Sequence, residues 1–377
     1  MRAGTEFTVP VSAMAVASFV HTMKDQAGPP APHYAVNNNV SLDQANLFIA
    51  GGIGEHFGGF SQFTFDGVGR TFSWDNLDLR VTDRETLFGS DVLFGASFNN
   101  SPSVQDVWNT LPAWGFTYTS SKLAPSPAAS PVLDGALAQA VTGVSAYSWW
   151  DMSFYVEAGL YWMPPHGFLR AVGVDAAGGP GILAGTAPYF RVAYQKDFGD
   201  QNFEVGAFAF FAGLYPGGDR TTGRSDHFSD FGLDASYQFI GDNDNIYQVN
   251  ARYMHEEQHL NASRALGNAT YAHDTLDEVK LDGSYYWHNE LGGTLNLFNT
   301  WGSSDPLLYA SNPTLKPDSQ GVLFQIDATP FGTNPSFLGP RFNVRVGIQY
   351  TAYARFDGST HNASDNNTLR IFTWFAF

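Results

Sequence analysis

The chain has 377 residues, with 36 acidic against 19 basic side chains and a formal net charge of −17. That balance excludes nucleic acid as a partner, because phosphate binding needs a basic face, and reads as a solvated acidic exterior. Cysteine is absent, so disulfides, thiolate metal sites and covalent attachment of a c-type haem by this chain are excluded too. Aromatic residues make up 15% of the sequence, yet no charge-free apolar run of about 18 residues exists to form a transmembrane helix, which leaves strands as the means of crossing a bilayer.

In chain order, the apolar stretch 9–20 superficially resembles a signal peptide, but Glu6 interrupts its start, Pro10 and Ser12 lie inside it and no leucine core exists. It reads better as the first strand. A chain that crosses a bilayer on strands must first be exported and so needs a secretory signal, and the chain is therefore expected to be a mature or N-terminally truncated form. Period-two alternation and the turn residues between runs then predict strands at 11–23, 40–53, 56–65, 71–81, 92–99, 144–150, 152–162 and 189–198. The second half continues with 202–215, 228–240, 245–254, 276–288, 294–301, 320–329, 342–355 and 367–377.

The connections alternate in length. Those at 54–55, 150–151, 199–200, 241–244 and 289–293 are tight, whereas 24–39, 100–143, 163–188, 216–227, 255–275 and 302–319 are long. Two depart from the pattern: 66–70 is short where a long one is expected, and 331–341 exceeds a minimal turn. Short periplasmic turns and long external loops are the habit of outer-membrane barrels, and here the long ones follow odd-numbered strands, so both termini belong on the periplasmic side. The expected fold is all-β: one transmembrane antiparallel β-barrel of about 16 strands spanning 1–377, in the bacterial outer membrane.

Alternation also assigns faces. Asp230, Asp234, Ser236 and Gln238 alternate with Phe231, Leu233, Ala235, Tyr237 and Phe239, and apolar faces end in aromatics such as Tyr247, Tyr253, Tyr285 and Trp287, as interfacial girdles do. A soluble β-sandwich alternates similarly. The girdles, the high even strand number and the final run Leu369, Ile371, Thr373, Phe375, Phe377 favour a barrel in lipid. Phe375 and Phe377 resemble the C-terminal signal read by the barrel assembly machinery. Charge on a lipid face costs about 2–4 kcal/mol near the midplane, so strand charges are expected to line the lumen. These are Asp78, Arg80, Glu157, Arg191, Glu204, Asp230, Asp234, Arg252, Glu278, Lys280, Asp282, Asp327, Arg345 and Arg370. Opposed acidic and basic rows across a water-filled bore would orient polar solutes and set ion preference, with weak cation preference expected. The alternative is that they pair and fill the interior.

The loop 100–143 carries Trp108, Asn109, Pro112, Trp114 and Phe116 and then a Pro, Ala and Ser-rich stretch. A loop so aromatic is costly to leave exposed, so it is expected either to enter the bore as a constriction or to pack on neighbouring loops or a subunit. His255, Glu256, Glu257, Gln258 and His259 spell H-E-x-x-H, whose zinc chemistry requires a helix. Lying at the start of a predicted loop, it reads as a solvated segment. With no G-x-S-x-G elbow, phosphate-cradling loop or thiol nucleophile, the chain is expected not to be an enzyme.

Three segments, SAMAVASFVHT from Ser12, TFSWDNLDLR from Thr71 and PSVQDVWNTLPAWGF from Pro102, resemble the barrel of outer-membrane cytochrome–porin fusion proteins. In that family a short N-terminal segment with one c-type haem precedes a sixteen-stranded porin and passes electrons across the outer membrane. The resemblance implies haem c and periplasmic cytochromes as partners, but C-x-x-C-H is missing here, so no cofactor is expected in this chain unless an upstream segment carries it. Two readings stand: a porin-like channel for passive passage of small polar solutes or ions, or the barrel part of an electron conduit. Removing Phe377 is expected to reduce the fraction of heat-modifiable, folded barrel recovered from outer membranes; unchanged recovery would show that it carries no assembly signal.

Overall fold

A computed structural model describes residues 11–115, 117–174, 181–339 and 341–377, apart from the side chains of Ile53 and Trp114. Alternating polar and apolar residues set out the first half as β1 (Val11–Thr22), β2 (Asn39–Ile53), β3 (Phe57–Asp66), β4 (Thr71–Leu87), β5 (Ser90–Asn99), β6 (Thr142–Trp150), β7 (Phe154–Trp162), β8 (Ile182–Leu183) and β9 (Thr186–Phe198). The second half comprises β10 (Gln201–Tyr215), β11 (Asp226–Gly241), β12 (Asn245–His259), β13 (His273–Trp287), β14 (Leu291–Gly302), β15 (Ser319–Ala328), β16 (Asn343–Arg355) and β17 (Thr368–Ala376). Two one-turn helices, α1 (His166–Ala171) and α2 (Asn261–Leu266), lie in the connections.

Neighbouring strands pair antiparallel, and β1 pairs with both β2 and β17, so the sheet closes on itself. The two-residue β8 pairs with the end of β10 and prolongs the line of β9, leaving 16 positions round the wall. At the seam Met14 faces Ala376 and Thr22 faces Thr368, while Ala13 and Phe377 exchange backbone hydrogen bonds of 3.1 and 2.8 Å. Closure satisfies backbone groups that lipid cannot solvate.

One rim carries tight hairpins. Phe88 with Gly89 and Asp151 with Met152 have positive φ at both turn positions, the geometry whose twist matches the flanking strands. The other rim carries the long connections 23–38, 100–141, 216–225, 260–272 and 303–318, with the short turn 67–70 among them. The tight turns therefore mark the periplasmic rim.

One expectation needs correction here. His255–His259 does not begin a loop, because β12 continues through His259 and β13 starts at His273, paired residue for residue. The run of charged residues hid a strand whose alternation persists: Met254, Glu256 and Gln258 are buried inside while Tyr253, His255 and Glu257 face outward.

Outward positions present Leu79, Val156, Val192, Val205, Leu233, Val249, Leu281 and Leu297, all exposed in the isolated barrel as lipid-facing side chains must be. Aromatics gather toward the rims, with Tyr247 and Tyr285 in ring contact at 4.6 Å and Phe342 packed on Phe377 at 5.4 Å. Leu233 lies mid-strand on this face, 58% exposed. Leu233→Arg is expected to cost about 2–4 kcal/mol of stability in lipid, measured by reversible denaturant unfolding. An unaffected midpoint would mean that this face does not meet hydrocarbon.

Candidate functional site: an internal loop and the crevice beside it

All fourteen charged strand residues singled out from the sequence point inward, on the parity opposite the apolar belt. They do not form opposed rows across open water, and that expectation is corrected. Each of the six cations is already paired. Arg80 meets Asp78, Arg345 meets Asp327, and Arg370 meets Asp43 at 2.7 Å. Arg252 and Lys280 share Glu278, each at 3.0 Å, and both reach Asp134 of the inner loop.

The remaining cation anchors the loop that occupies the bore. The Arg191 guanidinium, with no solvent exposure, lies 2.9 Å from Asp234, 3.1 Å from Glu204 and 3.3 Å from Asp106 of the loop. It also lies 5.0 Å from the centre of the Trp108 ring. A water-excluded guanidinium needs such acceptors, because a buried unpaired charge costs several kcal/mol. Gly206 makes the room: a Cβ there would sit 2.7 Å from Asp234 Oδ1.

From this anchor the connection 100–141 runs round the inner wall. Trp108 donates its indole N–H to Gln195 at 2.6 Å, and Gln105 donates to Glu157 at 2.9 Å while its carbonyl accepts from Arg80. The amide N–H groups of Val132 and Leu133 are accepted by Glu256 at 2.6 Å and Asp230 at 2.7 Å. Arg370 donates to Thr119 at 3.0 Å, and Tyr353 donates to the Pro125 carbonyl at 2.8 Å. Leu111, Val132, Leu133, Leu137 and Val141 pack against Tyr161, Tyr189, Phe210 and Met254, giving the bore an apolar core of its own. Burial raises the Asp134 carboxyl, but Lys280 and Arg252 outweigh it and hold it well below the usual carboxylate range.

Of the loop residues expected to constrict, Trp108 packs edge-on to Trp149 and Tyr155, with ring centres 5.4 and 5.3 Å away. Asn109 lines the space that remains, and Pro112 opens a one-turn 3₁₀ helix, Pro112–Trp114. Phe116 and the Trp114 side chain lie outside what is described.

That remaining space is a crevice of about 970 Å³ between the loop and the wall of β1–β4 and β17. Met14, Phe48, Phe60 and Trp374 line it toward the periplasmic rim, Gln62 and Asp75 farther up, and Asp43, Thr64, Asp66, Ser73 and Lys122 toward the outer rim. Asp75 accepts from Gln62 at 2.9 Å, Thr64 at 2.6 Å and Gln139 at 2.6 Å. Among the described contacts it meets no cation, whereas Asp43 and Asp66 are paired with Arg370 and Lys122.

Asp75 and Asp43 escaped the sequence reading for one reason. Counting back in twos from Asp78 turns Asp75 outward, but the pairing of β3 with β4 shifts between Ser61 and Phe63 and reverses that parity. A similar shift opposite Val16 and Ala17 brings Asp43 and Gln44 inward together. The contributions of Asp106, Asp134 and Glu256 depend on contacts distant in sequence, for which no local pattern exists. Among the described residues lining the crevice there is no histidine, so the haem implied by the resemblance finds no imidazole ligand there, and the chain has no cysteine to tether it.

No family model and no curated protein matches the sequence. Solved structures do. The chain is similar to OmpF of Salmonella typhi (TM-score 0.52, 11% identity, 98% of this chain and 97% of that one) and to the outer membrane channel DcaP of Acinetobacter baumannii with the same figures. It is also similar to the anion-selective porin of Comamonas acidovorans (TM-score 0.51, 11% identity, 98% and 99% covered). At such identity the likeness is one of fold: a closed outer-membrane barrel.

Arg191→Ala would leave Asp106, Glu204 and Asp234 buried together without their cation. A loss of about 3–5 kcal/mol is expected, with new protease cleavage inside 100–141. Unchanged stability and an intact loop would mean that the cluster does not hold the loop in place.

Proposed function

We propose that this outer-membrane barrel is a narrow, loop-constricted channel for passive passage of small polar solutes or ions, and that passage follows the crevice rather than the barrel axis. The observation that carries this reading is the 970 Å³ crevice, lined by residues from both ends of the barrel, beside a loop pinned to the opposite wall. Above its apolar periplasmic end the lining is amide, hydroxyl and carboxylate, groups that exchange hydrogen bonds with a partly dehydrated solute. Its charge is unbalanced at Asp75, because the other two acids are paired, and one uncompensated carboxylate in a confined path favours cations.

We read no enzymatic role. In H-E-x-x-H the two histidines, four residues apart along β12, are separated by about 13 Å on a strand, and Glu256 points to the opposite face, where it holds the Val132 amide. The geometry that lets such a glutamate activate metal-bound water is missing.

In planar bilayers the purified barrel is expected to show small, discrete conductance steps with cation preference. Asp75→Asn should keep the steps and move the reversal potential in a salt gradient toward zero. A folded barrel that conducts no ions would overturn the channel reading, and a selectivity unchanged in Asp75→Asn would remove Asp75 as its determinant.

A further inference from the structure

Strand pairing at the outer rim makes an arrangement that the linear sequence does not show. His227 of β11 pairs with His259 of β12, and His259 with His273 of β13, so three imidazoles stand in one row across three adjacent strands. All three are on the outward parity, away from the bore. The His259 and His273 rings are 4.6 Å apart at 81°. Two residues before His259 on the same face is the exposed Glu257. One repeat nearer the membrane, His255 is engaged with Asp277 at 2.8 Å.

We propose that His259 and His273 form the core of a surface site for a borderline divalent transition-metal ion such as Zn²⁺, Ni²⁺ or Cu²⁺. Imidazole nitrogens suit these ions and bind at about 2.0–2.1 Å for zinc, a reach open to two rings already in contact across a strand pair. Among the described residues no three His, Cys, Asp or Glu side chains converge on one point, so the pair is where coordination starts. His227, whose Nε2 is 3.2 Å from Ser225 Oγ, reaches the ion by a side-chain rotation, and Glu257 supplies a carboxylate from below. The second histidine of the H-E-x-x-H stretch thus takes its partner from the neighbouring strand rather than from His255. The ion bridges β12 and β13 where the connection 260–272 leaves the barrel, on a face open to the external medium.

The test uses the full chain without a histidine tag, folded in detergent, stripped with EDTA and equilibrated with Zn²⁺ at neutral pH. Parent protein and His255→Ala are expected to retain one ion per barrel, and His259→Ala and His273→Ala to lose it, with heat-modifiable mobility confirming that each variant is folded. His227→Ala and Glu257→Gln should weaken binding without abolishing it. Absence of binding by the parent, undiminished binding by the folded His259→Ala, His273→Ala double variant, or loss in His255→Ala would overturn the proposal.

Discussion

A sheet in hydrocarbon cannot leave an edge, and the pairing of β1 with β17 is the constraint from which the rest follows. Closing the sheet forces every second side chain inward, and charged side chains must take those positions because the outward ones meet lipid. An interior lined with carboxylates and guanidinium groups then has to be hydrated or paired. Here much of the pairing is provided by the connection 100–141, which brings Asp106 to Arg191 and Asp134 to Arg252 and Lys280. Wall charge, inner loop and residual crevice are thus successive answers to one requirement.

The inner loop also shows how polar and apolar contacts divide the work. Charged groups fix its position at separate points of the wall, whereas Leu111, Leu133 and Leu137 pack against wall aromatics and keep water from those contacts. Breaking one buried ion pair exposes the remaining partner to an unsolvated environment, so the anchors are more costly to lose than their net contribution suggests. On the β1–β4 side the loop makes a smaller apolar contact, Leu123 against Val20 and Val68, and the interior stays open beside it.

The barrel was legible because its signal is local and repeated. Alternation locates every long strand, and the unequal connections orient the barrel. What escaped was whatever depends on register. A single shift opposite Ser61 and Phe63 turns Asp75 into the crevice, where unbroken alternation from Asp78 would turn it outward. The stretch His255–His259 looked like a loop because its composition is charged, yet its alternation fits the neighbouring strands residue for residue. Inward facing of charged residues followed from the cost of charge in lipid, but which acid meets which base depends on a loop whose path no periodicity encodes.

The closed seam encloses the inner loop. Arg370 of β17 and Tyr353 of β16 bond to Thr119 and Pro125 of the loop that also contacts β7, β9, β11 and β12. With β17 paired to β1 the wall is continuous, so loop and wall cannot part sideways. The loop is therefore held inside a wall without an edge, by strands on both sides of the seam. In the closed barrel it is a cross-brace: through it the last strands are tied to β7, β9, β11 and β12 across the interior as well as round the sheet.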